Sequence, residues 1–181
     1  MVTATPSTSK KSAGARKTAA GKSRTGRGPD AVALLEADHR AVEKLFAQFE
    51  KARDTDRKKV LAEKICLELK IHTQIEEEIF YPTSREFLDD EDIVDEAVVE
   101  HAAAKELIAE IETMQPDEEL YDAKVTVLQE QIQHHVEEEE SEYFPKLQKT
   151  DMDMKAVGVM LKARKGELMS QMGGGQGVAV Q

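Results

Sequence analysis

Four of the five histidines in this 181-residue chain fall one to a helical segment, and they fall in a repeat. His39 and His101 stand 62 residues apart, and His72 and His135 stand 63 apart. Glu76 follows His72 by four residues, and Glu139 follows His135 by four. Phe80-Tyr81-Pro82 after the first pair matches Tyr143-Phe144-Pro145 after the second, each proline ten residues beyond its histidine. The two halves read as two helical hairpins, each carrying one lone histidine and one His-x-x-x-Glu. A fold that accepts both hairpins must also accommodate four imidazoles and two carboxylates.

The helical segments are legible from apolar periodicity. Leu35, Val42, Leu45, Phe46 and Phe49 mark a helix over roughly 30–53, opened by Pro29-Asp30. Asp54-Thr55-Asp56 breaks the pattern and can cap the next segment. That segment runs over roughly 56–81, with Val60, Leu61, Ile65, Leu69, Ile75 and Ile79 in step, and Pro82 is expected to end it. A third spans roughly 91–114, with Val94, Val98, Ile108 and Ile111. Gln115-Pro116-Asp117 makes a turn, and a fourth runs to about Phe144, where Pro145 interrupts or ends it. A shorter fifth is expected over about 151–170, with Met154, Val157, Leu161 and Leu168 in step and Gly158 and Gly166 weakening it. It should pack on the bundle or fray, and Gly173-Gly174-Gly175 should open a flexible terminus.

Short connections make neighbouring helices antiparallel. The expected fold is therefore all-α: an up-down-up-down antiparallel four-helix bundle over residues 29–148. A short fifth helix and flexible tail occupy 149–181, and a disordered basic tail occupies 1–28. That N-terminal tail holds seven basic residues, no acidic ones, and no Leu, Ile or Phe, so it cannot offset its own ordering entropy. It reads as a solubilising tail, a polyanion-binding arm or a targeting segment. The net charge of −11 leaves −18 on the rest of the chain, which disfavours nucleic acid or anionic membrane as a partner except through the tail. Cys66 is the lone cysteine, so no disulfide framework exists, and a buried inert thiol is its expected state. No apolar run approaches a membrane span and no signal region follows Met1, so a cytoplasmic location is expected.

Each of the four histidines sits on an inward face. His39 has Leu35, Val42 and Phe46 at helical offsets, and His72 has Leu69, Ile75 and Ile79. His101 has Ala97, Val98 and Ile108, and His135 has Leu128 and Ile132. An offset of four is about 40° around the axis and about 6 Å along it, so Glu76 and Glu139 share their histidines' faces. Imidazole and carboxylate suit iron, manganese or zinc. Without a cation, this many polar groups in one core would be costly. His39, His72, Glu76, His101, His135 and Glu139 are the expected ligand set. Beyond them there is no separate acid–base motif that would mark an enzyme.

These residues resemble the hemerythrin family in its broad bacterial form, the HHE cation-binding domain, over roughly residues 30–148. The resemblance implies a four-helix bundle around a non-haem pair of iron ions, manganese or zinc being less expected. It also implies Glu76 and Glu139 as bridging carboxylates with the histidines terminal. Two departures matter. Oxygen-carrying members place a second histidine four residues after the one on the third helix, where this chain has Lys105. They also place an aspartate five after the fourth-helix histidine, whereas Glu139 lies four after His135 and five after His134. His135 is preferred because it aligns with His72 without a gap, leaving His134 facing outward or behind the ligands. Glu43, four after His39, could reach the site or lie solvated on a flank; Lys105 could approach it or point away. Tyr81 and Tyr143 are expected to pack near helix ends. Ferritin-like di-iron sites use Glu-x-x-His, the reverse order, and fit less well.

A site short of one imidazole points away from reversible O₂ carriage. The resemblance implies a di-iron protein that binds or reacts with O₂, peroxide or NO. The alternatives are an iron-holding module without turnover and a helical interaction protein with a polyanion-binding arm. Whether the chain is a monomer or a dimer stays open.

Overall fold

A computed structural model describes Met1, residues 28–88 and residues 92–173. The expected disorder of residues 2–27 and the expected flexible terminus from Gly174 onward lie outside the described residues. Among the described residues all regular structure is helical. Helix α1 spans Ala31–Lys51 and α2 spans Thr55–Ile75. Helix α3 spans Asp92–Thr113, α4 Tyr121–Glu138 and α5 Met154–Gly173. Asp30 and Asp54 cap α1 and α2, their carboxylates accepting from Val32 N at 3.1 Å and Arg57 N at 2.8 Å. The first four helices form the antiparallel up-down-up-down bundle.

Pro82 and Pro145 do not end their helices. After α2 the chain makes a π-turn over Glu76–Phe80 and continues as one α-turn, Tyr81–Ser84. After α4 it does the same, with a π-turn over Glu139–Tyr143 and then Phe144–Leu147. A proline inside an α-helix collides with the carbonyl four residues back. Widening the turn beforehand gives the ring room, and the backbone N–H groups of Tyr81 and Phe144 bond the carbonyls of Glu76 and Glu139, five residues back.

The apolar core lies in two clusters, one on each side of the histidines along the bundle. One holds Leu35, Ile71, Ile75, Phe80, Val94 and Phe144. The other holds Val42, Phe46, Ile65, Leu69, Ile108 and Leu128. A polar layer is thus sealed at both ends. Val60 and Val98, expected on inward stripes, are instead 41% and 39% exposed. Ala97 and Ala104 take the inward positions beside His101. Cys66 is buried, and burial pushes its thiol up to about 12, keeping it protonated. Among the described residues no helix is long and apolar enough to cross a membrane.

Helix α5 packs against α1 and α2, burying Val157, Leu161 and Leu168. Gly158 permits that approach: a Cβ there would stand 2.0 Å from the Pro29 carbonyl oxygen and 2.9 Å from Ala31 N. Gly166 has nothing within 4 Å of such a Cβ. The two glycines therefore respond oppositely to alanine. Gly158→Ala is expected to lower stability by about 1–3 kcal/mol through overpacking against backbone. Gly166→Ala is expected to raise it by about 0.5–1 kcal/mol through helix propensity. Urea melts of the two variants check both signs.

Candidate metal centre

All six expected residues converge in the polar layer, none more than 6% exposed. The imidazoles form two facing pairs. His39 Nε2 lies 3.2 Å from His72 Nε2, and His101 Nε2 lies 3.1 Å from His135 Nε2. Glu76 Oε2 is 3.1 Å from His72 Nε2 and 3.5 Å from His101 Nε2. Glu139 Oε2 is 3.3 Å from His39 Nε2 and 3.6 Å from His135 Nε2. Each carboxylate thus reaches one imidazole of each pair.

The other ring nitrogens fix the tautomers. His39 Nδ1 lies 2.8 Å from Glu140 Oε1, and His135 Nδ1 lies 2.8 Å from Glu100 Oε2. His101 Nδ1 lies 3.1 Å from Glu77 Oε1. His72 Nδ1 stands 3.8 Å from Asp38 Oδ2, an ion-pair distance rather than a hydrogen bond. A carboxylate accepts only, so Nδ1 of His39, His101 and His135 carries the proton, which leaves Nε2 of those three rings to offer a lone pair to a cation. Carboxylates behind ligating histidines commonly serve this purpose at metal sites.

Facing lone pairs repel, and the carboxylates add to the problem. Both oxygens of Glu76, and Oε2 of Glu139, are buried without a hydrogen-bond partner. Burial, then the charge of Glu139, pushes the Glu76 carboxyl well above the usual carboxylate range. Burial would raise Glu139 too, but His135 and His39 outweigh it and hold that carboxyl low. Burial lowers His72 to about 4 and also lowers His101, so both are neutral donors at pH 7. Burial opposes charging of His135 as well, but Glu139 and Glu100 outweigh it and raise it. Two donors about 2.1 Å from one ion and at right angles lie about 3.0 Å apart, close to the spacings found here. His39, His72, Glu76 and Glu139 form one possible cation-holding group, and Glu76, His101 and His135 form another, with donor atoms within 4.8 Å of one another in each.

Several residues take places the sequence did not assign. Tyr81 is buried, its hydroxyl 3.1 Å from Glu139 Oε1 and 3.2 Å from His101 Nε2. In an α-helix a residue five beyond Glu76 would point about 140° away; the π-turn brings it back over Glu76. Burial and the charges of Glu139 and Glu76 raise the Tyr81 phenol well above its ordinary value, so it stays protonated. Its counterpart in the second half is Phe144, stacked on His39 with ring centroids 6.0 Å apart. Tyr81 therefore has no phenol counterpart over the centre in the second half. Tyr143 is also buried, but its hydroxyl meets Ser84 Oγ. Lys105 neither enters the centre nor points away: its Nζ lies 2.5 Å from both oxygens of Glu77, behind His101. Hydrogen bonding from His101, then Lys105, outweighs burial and holds the Glu77 carboxyl at about 2. Glu43 lies outside the cluster, paired with Arg40. His134 points out of the bundle, with its side chain 64% exposed.

Beside the four imidazoles lies a cavity of about 10 Å³, room for one water-sized molecule, walled by Val42, Leu69, Ile132 and Val136. A groove of about 370 Å³ runs outside it between α1 and α4. Cavity and groove share His39, Val42, Ile132 and Val136 as their common wall.

Known proteins agree with this arrangement at the level of family and fold. The chain is 26% identical over 143 residues to a protein of Nostoc sp. named a DNA nickase, covering 78% of this chain but only 40% of that relative. A crystal structure of a hemerythrin HHE cation binding domain-containing protein from Mycobacterium kansasii superimposes with a TM-score of 0.68 at 20% identity, covering 79% of this chain and 89% of the other. The family model for the hemerythrin HHE cation binding domain matches residues 30–147. The chain belongs to the hemerythrin HHE cation-binding family.

Proposed function

We propose that the centre holds two iron ions and binds or reacts with a small oxidant: O₂, peroxide or NO. His39 and His72 would hold one ion and His101 and His135 the other, with the Glu76 and Glu139 carboxylates within reach of both. The observation that carries this is the set of four inward-facing Nε2 atoms, each ring with a carboxylate behind it. A paired iron centre supplies electrons to a small bound molecule by cycling between ferrous and ferric states.

The chain's own groups favour reactivity over carriage. Lys105, standing where oxygen carriers have a fifth imidazole, is held on Glu77 and donates nothing to the centre. Tyr81 donates its hydroxyl to Glu139 Oε1 beside His101, so a phenol that stays protonated stands at the edge of the centre. Val42, Ile132 and Val136 separate the small cavity at the imidazoles from the outer groove, so a ligand entering on that side must pass these apolar side chains. Anaerobically reduced protein exposed to O₂, peroxide or NO should develop charge-transfer absorption in the near-UV and visible. An iron-loaded chain whose spectrum none of the three changes would contradict the reactive function and leave an iron-holding module.

The shared wall makes a kinetic prediction. Val136→Phe should fill the passage and slow peroxide reaction in stopped flow without changing iron content. A barrier raised by about 1.4 kcal/mol slows entry about tenfold. Unchanged rates would mean that the ligand enters elsewhere.

A further inference from the structure

Three of the four carboxylates behind the imidazoles are neutralised by a base. Lys165 Nζ lies 2.6 Å from Asp38, Lys105 holds Glu77, and Arg40 pairs with Glu140. The fourth, Glu100, has no lysine or arginine beside it among the described residues. One of its oxygens accepts from His135 Nδ1. The other faces His134 Nε2 at 3.6 Å, and that same nitrogen lies 3.3 Å from Glu138 Oε1, one turn on.

The internal repeat shows what stands here in the other half. Glu100 corresponds to Asp38, His134 to Ile71 and Glu138 to Ile75. Ile71 and Ile75 are fully buried in a cluster with Leu161 and Leu168 of α5, and Lys165 of the same helix neutralises Asp38. Among the described residues no helix covers the matching face of α3 and α4. That face instead carries an imidazole and a carboxylate where the first half has two isoleucines, and it lacks the ammonium.

We propose that Glu100, His134 and Glu138 form a surface site for a divalent cation of borderline hardness, such as zinc or ferrous iron. One imidazole nitrogen and two carboxylate oxygens, on two helices and within 4.8 Å of one another, are the donors such ions take. The cation does for Glu100 what Lys165 does for Asp38: it neutralises the carboxylate behind a histidine of the buried centre. Exposed to water, it exchanges freely and binds more weakly than the buried ions.

The test is equilibrium dialysis of full-length protein against zinc at pH 7, after iron loading, with iron measured before and after. Wild type should take up one zinc with its iron content unchanged. His134→Ala and Glu138→Gln should each weaken that uptake by about tenfold or more, which is about 1.4 kcal/mol. Glu137→Gln, an exposed acid on the same turn, should leave it intact. Unchanged zinc uptake by His134→Ala overturns the proposal, as does equal weakening by Glu137→Gln. A chain that never retains iron yet loses one zinc with His134→Ala would overturn the buried di-iron assignment and support this site.

Discussion

Glu76→Gln is expected to stabilise the metal-free protein and destabilise the loaded one. Glu76 has no hydrogen-bond partner within the protein for either oxygen, and burial beside Glu139 disfavours its charge unless a cation is bound. A carboxyl whose folded pKa lies above its unfolded value takes up a proton on folding, so its contribution worsens as pH rises through the usual carboxylate range. Metal-free wild type should therefore lose stability from this group between about pH 4.5 and neutrality. The glutamine variant should lack that loss and gain on the order of 1–3 kcal/mol at pH 7, the cost of an unsatisfied buried group. With metal the sign reverses. A ligand at a thousandfold its Kd adds about 4 kcal/mol per site, and losing a carboxylate that reaches both imidazole pairs should forfeit most of it. Thermal melts with and without iron, at pH 5 and pH 7, give all four values. A variant that destabilises both forms alike would make Glu76 an ordinary core residue.

The histidines should divide the metal between them, and the glutamates should not. His39 and His72 face each other across 3.2 Å, and His101 and His135 across 3.1 Å, while no close Nε2 contact joins the pairs. His72→Ala should cost one ion and leave the His101–His135 pair occupied, so iron falls to about half of wild type. His101→Ala should do the same from the other side. Glu76→Ala reaches both pairs and should cost nearly all of it. Removing a partner behind a ligand commonly costs about ten- to a hundredfold in metal affinity, and removing the ligand itself costs more, enough to empty a site during dialysis. Iron assays on the three purified variants distinguish this from a single shared ion, for which each variant would lose all metal.

Much of this arrangement was legible in the sequence because helical geometry is strict. Offsets of three and four fixed the faces of His39, His72, His101 and His135, and the i+4 glutamates had to follow. His134 and His135 were separated on paper only by aligning the repeat; the structure buries His135 and exposes its neighbour. Asp38, Glu77, Glu100 and Glu140 are not legible from apolar periodicity. Each sits one residue from an expected ligand, about 100° round the helix, where charge is ordinarily solvated. The signal was present, since Asp38 and Glu100 repeat at the same interval as the lone histidines, and Glu77 and Glu140 at the interval of the His-x-x-x-Glu pairs. Tyr81 was harder. Its place depends on the π-turn before Pro82, and α-helical spacing puts it on the wrong face. Val98 differs for a smaller reason: it flanks the inward face and is 39% exposed, whereas Ala97, on the other flank, is buried.

The two-ion centre is tested most directly by metal content and optical spectrum of the full-length chain purified without oxygen. Two irons per chain, with charge-transfer bands appearing on exposure to O₂ or peroxide, are the expected result. One zinc per chain and no iron, or no retained metal in a protein that melts as wild type does after His101→Ala, would contradict it.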